Sequence, residues 1–331
     1  MKVFQINRSV FFYLITFLLF IVLTFSIGEI LTKLFWKGQY PLAVDERNLN
    51  YAFDDELGWF PAKSTTKPFR ASRLINVKNN DDGFRDRDHG AKQKKRIAFL
   101  GDSFVWGYDV QEEERFTEKL QVLMPEWELI NMGISGYGTD QEFMLIQKWF
   151  DHYKPDIICL LYCENDKRNN MVNCNLEYYK PYYEVVNDTL VKKGVPVIKS
   201  INYYHLNYPL LFKSRFVSLL CKGFLRIVSP LHISENDPTD KIILSMKTYV
   251  EAKGARFILA FIDKPDFDEK RSFCESNKIE FLPVYTNDRF KNMGFHWTPS
   301  GHSFVCSRLF EYFMTRDSVL SSKDPVVSSG L

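Results

Sequence analysis

The longest uninterrupted apolar stretch of the chain lies at its start. From Val10 to Ile27 (VFFYLITFLLFIVLTFSI) there is no charged side chain. As a helix this run crosses a hydrocarbon core of roughly 30 Å. Lys2 and Arg8 precede it and Lys33 and Lys37 follow, so the flanking charge says little about orientation. A cleaved signal peptide would carry a shorter apolar region ending in a small-residue motif. Here the run passes instead into Gly28-Glu29-Ile30 and Leu34-Phe35-Trp36. A buried core helix would show polar positions marking a solvent face. The pattern predicts an uncleaved anchor over residues 1–37, single-pass in the inner or plasma membrane. The rest of the chain is then expected outside the cytoplasm, in the periplasm.

Residues 38–95 read as an extended, loop-rich lead-in closing on the polar stretch Asn79 to Lys95. Beyond it short apolar runs alternate with helical periods. RIAFL (96–100), ELINM (128–132), DIICLLY (156–162), RFILAFI (256–262) and IEFLPV (279–284) read as five strands. Between them Phe116, Leu120 and Leu123 recur at helical spacing. Thr139-Asp140-Gln141-Glu142 looks like a capping box opening a second helix. A third helix opens at Thr239, putting Ile242, Ile243, Met246 and Val250 on one face and stopping at Gly254. A final one runs from Ser300 to Phe313. Strands without polar alternation, separated by helices, predict a doubly wound α/β domain over residues 96–315, with a five-stranded parallel sheet covered on both faces. A tail follows at 316–331.

The interval 167–236 is too long for a routine connection and reads as an inserted cap. Within it, Asn187-Asp188 between two β-rich runs signals a hairpin. From Tyr208 to Leu231, apolar residues mix with Lys213, Arg215, Lys222 and Arg226. Such a stretch is more often a cap packed over a core, the other reading being a basic amphipathic helix on a membrane or lipid substrate. Tyr178, Tyr179, Tyr182, Tyr183, Tyr203, Tyr204 and Tyr208 suggest a substrate-facing aromatic lid.

Composition adds mainly exclusions. The 331 residues carry 43 basic and 41 acidic side chains, a formal net charge of +2, which excludes a chain built to coat nucleic acid. Six cysteines form no CxxC and no paired metal spacing, so no structural zinc is expected; a Cys163–Cys174 disulfide is left open by spacing alone. There is no phosphate-binding G-x-x-x-x-G-K-[ST] loop.

In a doubly wound sheet, ligands bind beyond the carboxyl ends of the strands, near the switch in strand order. The segments there are Gly101-Asp102-Ser103, Asn131 to Gly138, Cys163-Glu164-Asn165-Asp166, and Phe295 to His302. Together they supply a nucleophile, oxyanion donors and a general base, the inventory of a serine hydrolase or acyl transferase. His302, His152, His205 and His232 lack such a context and read as structural, and Asp102 reads as a loop-ordering residue.

These four blocks resemble those of the SGNH (GDSL-type) hydrolases, whose fold is flavodoxin-like. The resemblance makes Ser103 the nucleophile, His296 its base, and the Ser103 and Gly136 amides with the Asn165 side chain the oxyanion hole. The lead-in Asn80 to Asp86 (NDDGFRD) also resembles a segment of membrane-anchored bacterial members. Two positions depart from the family pattern. Cys163-Glu164 stands where the third block usually has glycine. Met293 stands where an aspartate usually orients the histidine, leaving Asp288 as the nearest acidic candidate or a Ser-His dyad. The resemblance implies a cofactor-free esterase acting on an ester of an envelope carbohydrate or lipid. O-acyl transfer to a surface polysaccharide, or non-catalytic carbohydrate binding, is the alternative.

Overall fold

A computed structural model of the chain describes residues 8–38, 46–291 and 294–321. Met293, the tip ahead of Arg8 and the tail from 322 onward lie outside the described residues. The described residues fall into two compact units, one formed by the N-terminal segment with Lys199–Leu231, the other by Val44–Ile198 with the segment from His232 onward. The helices that frame them are, in chain order, α1 (Arg8–Phe35), α2 (Ser103–Trp106), α3 (Phe116–Leu123), α4 (Thr139–Tyr153), α5 (Glu164–Asn170), α6 (Ile201–Asn207), α7 (Arg215–Val228), α8 (Thr239–Ala252), α9 (Lys264–Ser276) and α10 (Pro299–Ser321).

The larger unit is built on five parallel strands: β1 (Lys95–Leu100), β2 (Trp127–Asn131), β3 (Ile157–Tyr162), β4 (Arg256–Phe261) and β5 (Glu280–Pro283). Their order is β5-β4-β3-β1-β2. Every residue of β3 is buried, which is why its run is apolar without alternation. One face, with Ala98, Ile158 and Leu259, packs on Phe143, Met144, Ile242 and Met246 of α4 and α8. The other, with Ile97, Cys159 and Ile258, packs on Phe116, Leu120, Val305 and Leu309 of α3 and α10. From β1 the chain steps out to β2, then crosses to β3 on the opposite side of β1. The carboxyl ends of β1 and β3 therefore border the switch point, where such sheets bind ligands.

Several local expectations change. The lead-in contains two antiparallel hairpins, Tyr51–Asp54 with Gly58–Pro61 and Thr66–Arg70 with Leu74–Lys78. Phe69, Ile75 and Val77 of the second pack against Trp106 and Tyr108. Its other positions are exposed, so its strands are too short and too polar to announce themselves. The capping box at α4 does not form: Thr139 is already helical and the first turn is buried. Its free amides are met by side chains instead, the Asp140 N–H donating to Asn170 (3.0 Å) and the Gln141 N–H to Asp140 (2.7 Å).

The hairpin between Tyr182–Val186 and Thr189–Lys193 forms as expected, with Asn187 and Asp188 both at positive φ, 48° and 63°. Of the tyrosines read as an aromatic lid, Tyr178, Tyr179 and Tyr183 are instead buried, Tyr178 against Trp59 and Tyr183 against Phe143. Tyr203, Tyr204 and Tyr208 belong to the other unit. All six cysteines are free thiols, so Cys163 and Cys174 are not bridged.

The smaller unit consists of α1 with α6 and α7. By length and composition α1 is suited to cross a membrane, and most of its apolar side chains stand exposed. Gly28 and Thr32 are its buried positions. A Cβ on Gly28 would lie 2.7 Å from the Phe216 ring, so only glycine admits this approach of α7.

Candidate active site

Ser103 follows β1 after Gly101 and Asp102 and opens α2, where Asp102 caps the turn by accepting the Phe104 N–H at 2.9 Å. Its Oγ lies 2.7 Å from Nε2 of His296, 193 positions away in sequence. With the ring proton on Nδ1, the hydroxyl donates to Nε2, the geometry in which imidazole accepts the nucleophile's proton. Each residue keeps 8 % of its surface exposed, so the pair is held by packing yet reachable.

The loop carrying His296 is tied down by Arg289. Its guanidinium donates to the Ile262 carbonyl and the Asp263 carboxylate, both at 2.7 Å, and lies over the Phe104 ring. The Phe290 N–H donates to the His296 carbonyl at 2.8 Å. Tyr108 stacks on the imidazole with ring centroids 4.2 Å apart, and Phe104 packs at 5.1 Å.

Gly136 sits in the loop after β2, which runs alongside the β1 loop. The Met132 N–H donates to Phe99 at 2.9 Å and the Ile134 N–H to Gly101 at 3.0 Å. Asn131 stiffens this loop, its amide donating to the Val105 carbonyl while its oxygen accepts the Gly133 N–H. Gly136 has φ +81°, a conformation that favours glycine. Asn165 lies in the first turn of α5, after β3, and its side-chain amide donates to Asp102 at 3.0 Å. One amide hydrogen is thereby fixed on the residue next to Ser103. The same amide group carries a second N–H, the kind of donor an oxyanion would need.

Asp102 thus carries out the loop-ordering role read from the sequence. It belongs to a buried acidic group with Asp166, Glu142 and Asp140. Burial pushes the Asp102 carboxyl up, and burial followed by the charges of Asp166, Asp102 and Asp140 pushes Glu142 well above the usual carboxylate range. Asp140 is paired with buried Lys180.

The Asp288 carboxylate accepts the Thr298 hydroxyl at 2.5 Å, and hydroxyls of Ser300 and Thr298 hold its carboxyl below the ordinary range. These bonds tie the turn ahead of α10. Glu164 is exposed. His302 is buried in the packing of α10, accepting the Phe116 N–H at 3.3 Å, and burial depresses its pKa. Among the described residues no group of three or more His, Cys, Asp or Glu is arranged to hold a metal ion.

The lead-in supplies residues that sequence reasoning did not assign. Buried Arg85 donates to the carbonyls of Gly107 (2.6 Å) and Val110 (2.7 Å), bracketing Tyr108. Asp86 accepts the Asn131 N–H at 2.7 Å. The only sequence signal for either was the NDDGFRD stretch.

No family model and no curated protein matches the chain. Among solved structures it resembles a lipolytic protein of the G-D-S-L family from Veillonella parvula, at 13 % identity and a TM-score of 0.39, covering 66 % of this chain and 98 % of that one. It also resembles the psychrotrophic esterase EstA from a Pseudoalteromonas species, at 12 % identity and a TM-score of 0.39, covering 68 % and 100 % of the two chains. An acetyl xylan esterase is similar at 12 % identity and a TM-score of 0.40, covering 66 % and 98 %.

Proposed function

We propose that this chain is a membrane-anchored serine esterase of the SGNH type, acting outside the cytoplasm on an ester of an envelope carbohydrate or lipid. The observation that carries the reading is the 2.7 Å approach of Ser103 Oγ to His296 Nε2 at the switch point of the sheet. Ser103 attacks the ester carbonyl as His296 takes its proton. The Ser103 and Gly136 amides and the Asn165 side chain hold the tetrahedral oxyanion. His296 then returns the proton to the departing alkoxide, and water, activated by the same imidazole, releases the acyl group.

A cavity of about 420 Å³ beside the His296 loop fits this substrate class. It is lined by Tyr285, Phe290 and Phe295 together with Lys264, Asn287 and Arg289, a mixture of ring faces and polar groups suited to a sugar or a lipid headgroup. The α1 helix supplies the anchor. The test is hydrolysis of a short-chain p-nitrophenyl ester by the purified full chain, alone and with a carbohydrate acceptor. Turnover that disappears in Ser103→Ala supports the reading, acyl transfer without comparable loss to water redirects it to a transferase, and absence of both refutes catalysis.

A further inference from the structure

We propose that α7 lies in the membrane interface, with a lipid bilayer as the occupant of its apolar face. This rests on the reading of α1 as a membrane span. Leu220, Phe224, Ile227 and Val228 recur at the i, i+4, i+7 and i+8 spacing of one helix face. All four are exposed, Phe224 by 63 % and Ile227 by 80 %. Arg215, Lys222 and Arg226, spaced i, i+7 and i+11, form a cationic stripe on the opposite side. An exposed apolar face backed by basic residues is the pattern of a helix lying in the plane of a bilayer surface. The basic stems are long enough to reach anionic headgroups.

The attachment of α7 to α1 fixes its depth. The uncharged run of α1 extends to Gly28, and the junction with α7 spans its end, from Phe25 to Glu29. There Phe216 packs on Gly28 and against Phe25. The Glu29 carboxylate accepts the Ser214 hydroxyl at 2.7 Å and the Phe216 N–H at 3.0 Å, and Lys33 pairs with it at 3.2 Å. A carboxylate is costly within hydrocarbon, so this bonded group belongs at the boundary. Negative charge at the start of α7 also complements the helix dipole. The apolar face of α7 is thus continuous with that of α1 at the level where acyl chains meet headgroups.

The experiment places a photoreactive benzoylphenylalanine in the full chain at Phe17, Phe224 or Lys222. Each protein is reconstituted in vesicles of phosphatidylethanolamine and phosphatidylglycerol. The expected result is lipid adducts at positions 17 and 224, several-fold more than at 222. Lipid adducts at 17 but not at 224, or cross-links from 224 to a second copy, overturn the placement of α7 while leaving the anchor intact. Absence of adducts at 17 overturns the anchor reading, and this inference with it.

Discussion

The Tyr108 ring lies against the His296 imidazole, 4.2 Å between centroids and 22° from parallel. Phe104 packs against the same ring at 5.1 Å, so the imidazole is oriented in part by aromatic surfaces. Loss of one surface lets the imidazole wander from the Ser103 hydroxyl. Misplacement by about 1 Å costs on the order of 10²-fold in rate. Tyr108→Ala is expected to lower kcat by roughly 10- to 100-fold with little change in KM, while Tyr108→Phe retains activity. Steady-state kinetics of the two variants checks this, and equal losses in both would point to the hydroxyl instead.

Asn165 donates one amide hydrogen to Asp102, and in the proposed oxyanion hole its second would serve the oxyanion. Its replacement by alanine is expected to reduce kcat by about 10²–10³. A donor that acts on the transition state, as proposed for Asn165, lowers kcat/KM in parallel when it is removed. Stopped assays at saturating and limiting ester distinguish this from a loss of substrate affinity.

Asp288 bonds the Thr298 hydroxyl and so secures the turn ahead of α10. Removing the orienting acid of a triad costs on the order of 10⁴ in turnover. Asp288→Asn, which keeps the size and one acceptor oxygen, is expected to cost less than about tenfold. A loss near 10⁴ would assign Asp288 as the orienting acid.

Asp266, in the first turn of α9, has its carboxyl raised from 3.8 to about 7, first by burial and then by the charges of Asp263, Glu164 and Glu269. The folded state therefore holds this proton more tightly than the unfolded chain. Its contribution to stability is complete below about pH 3.8 and is lost as pH rises through about 7. Asp266→Asn removes the penalty of ionising the carboxyl. Its gain in melting temperature over wild type should grow between about pH 4 and pH 8. Thermal unfolding in detergent across that range is the check, and a constant or shrinking gain would contradict it.

The parts of the fold that were legible in the sequence are those where burial is two-sided. β3 reads as a strand because every position is apolar, and the Asn187-Asp188 turn reads as a hairpin because few residues accept two successive positive φ values. That the proposed site residues Ser103, Gly136, Asn165 and His296 lie in four blocks at strand ends was legible. Their support was not. Tyr108 on His296, Arg85 on Gly107 and Asp86 on Asn131 join segments whose pairing follows only from the folded path. The lead-in hairpins were missed because one hydrophobic face on a four- or five-residue strand is too short a pattern to separate from a loop. The tyrosine cluster misled for a related reason: a tyrosine suited to meet a sugar is equally suited to fill a core beside Trp59.

The most direct test of the central claim is covalent labelling of the full chain with a fluorophosphonate, read by intact mass and peptide mapping. One adduct per chain is expected, located on Ser103, and none in Ser103→Ala. A folded wild-type chain that stays unlabelled while a reference serine esterase reacts, or an adduct on a different serine, would contradict it.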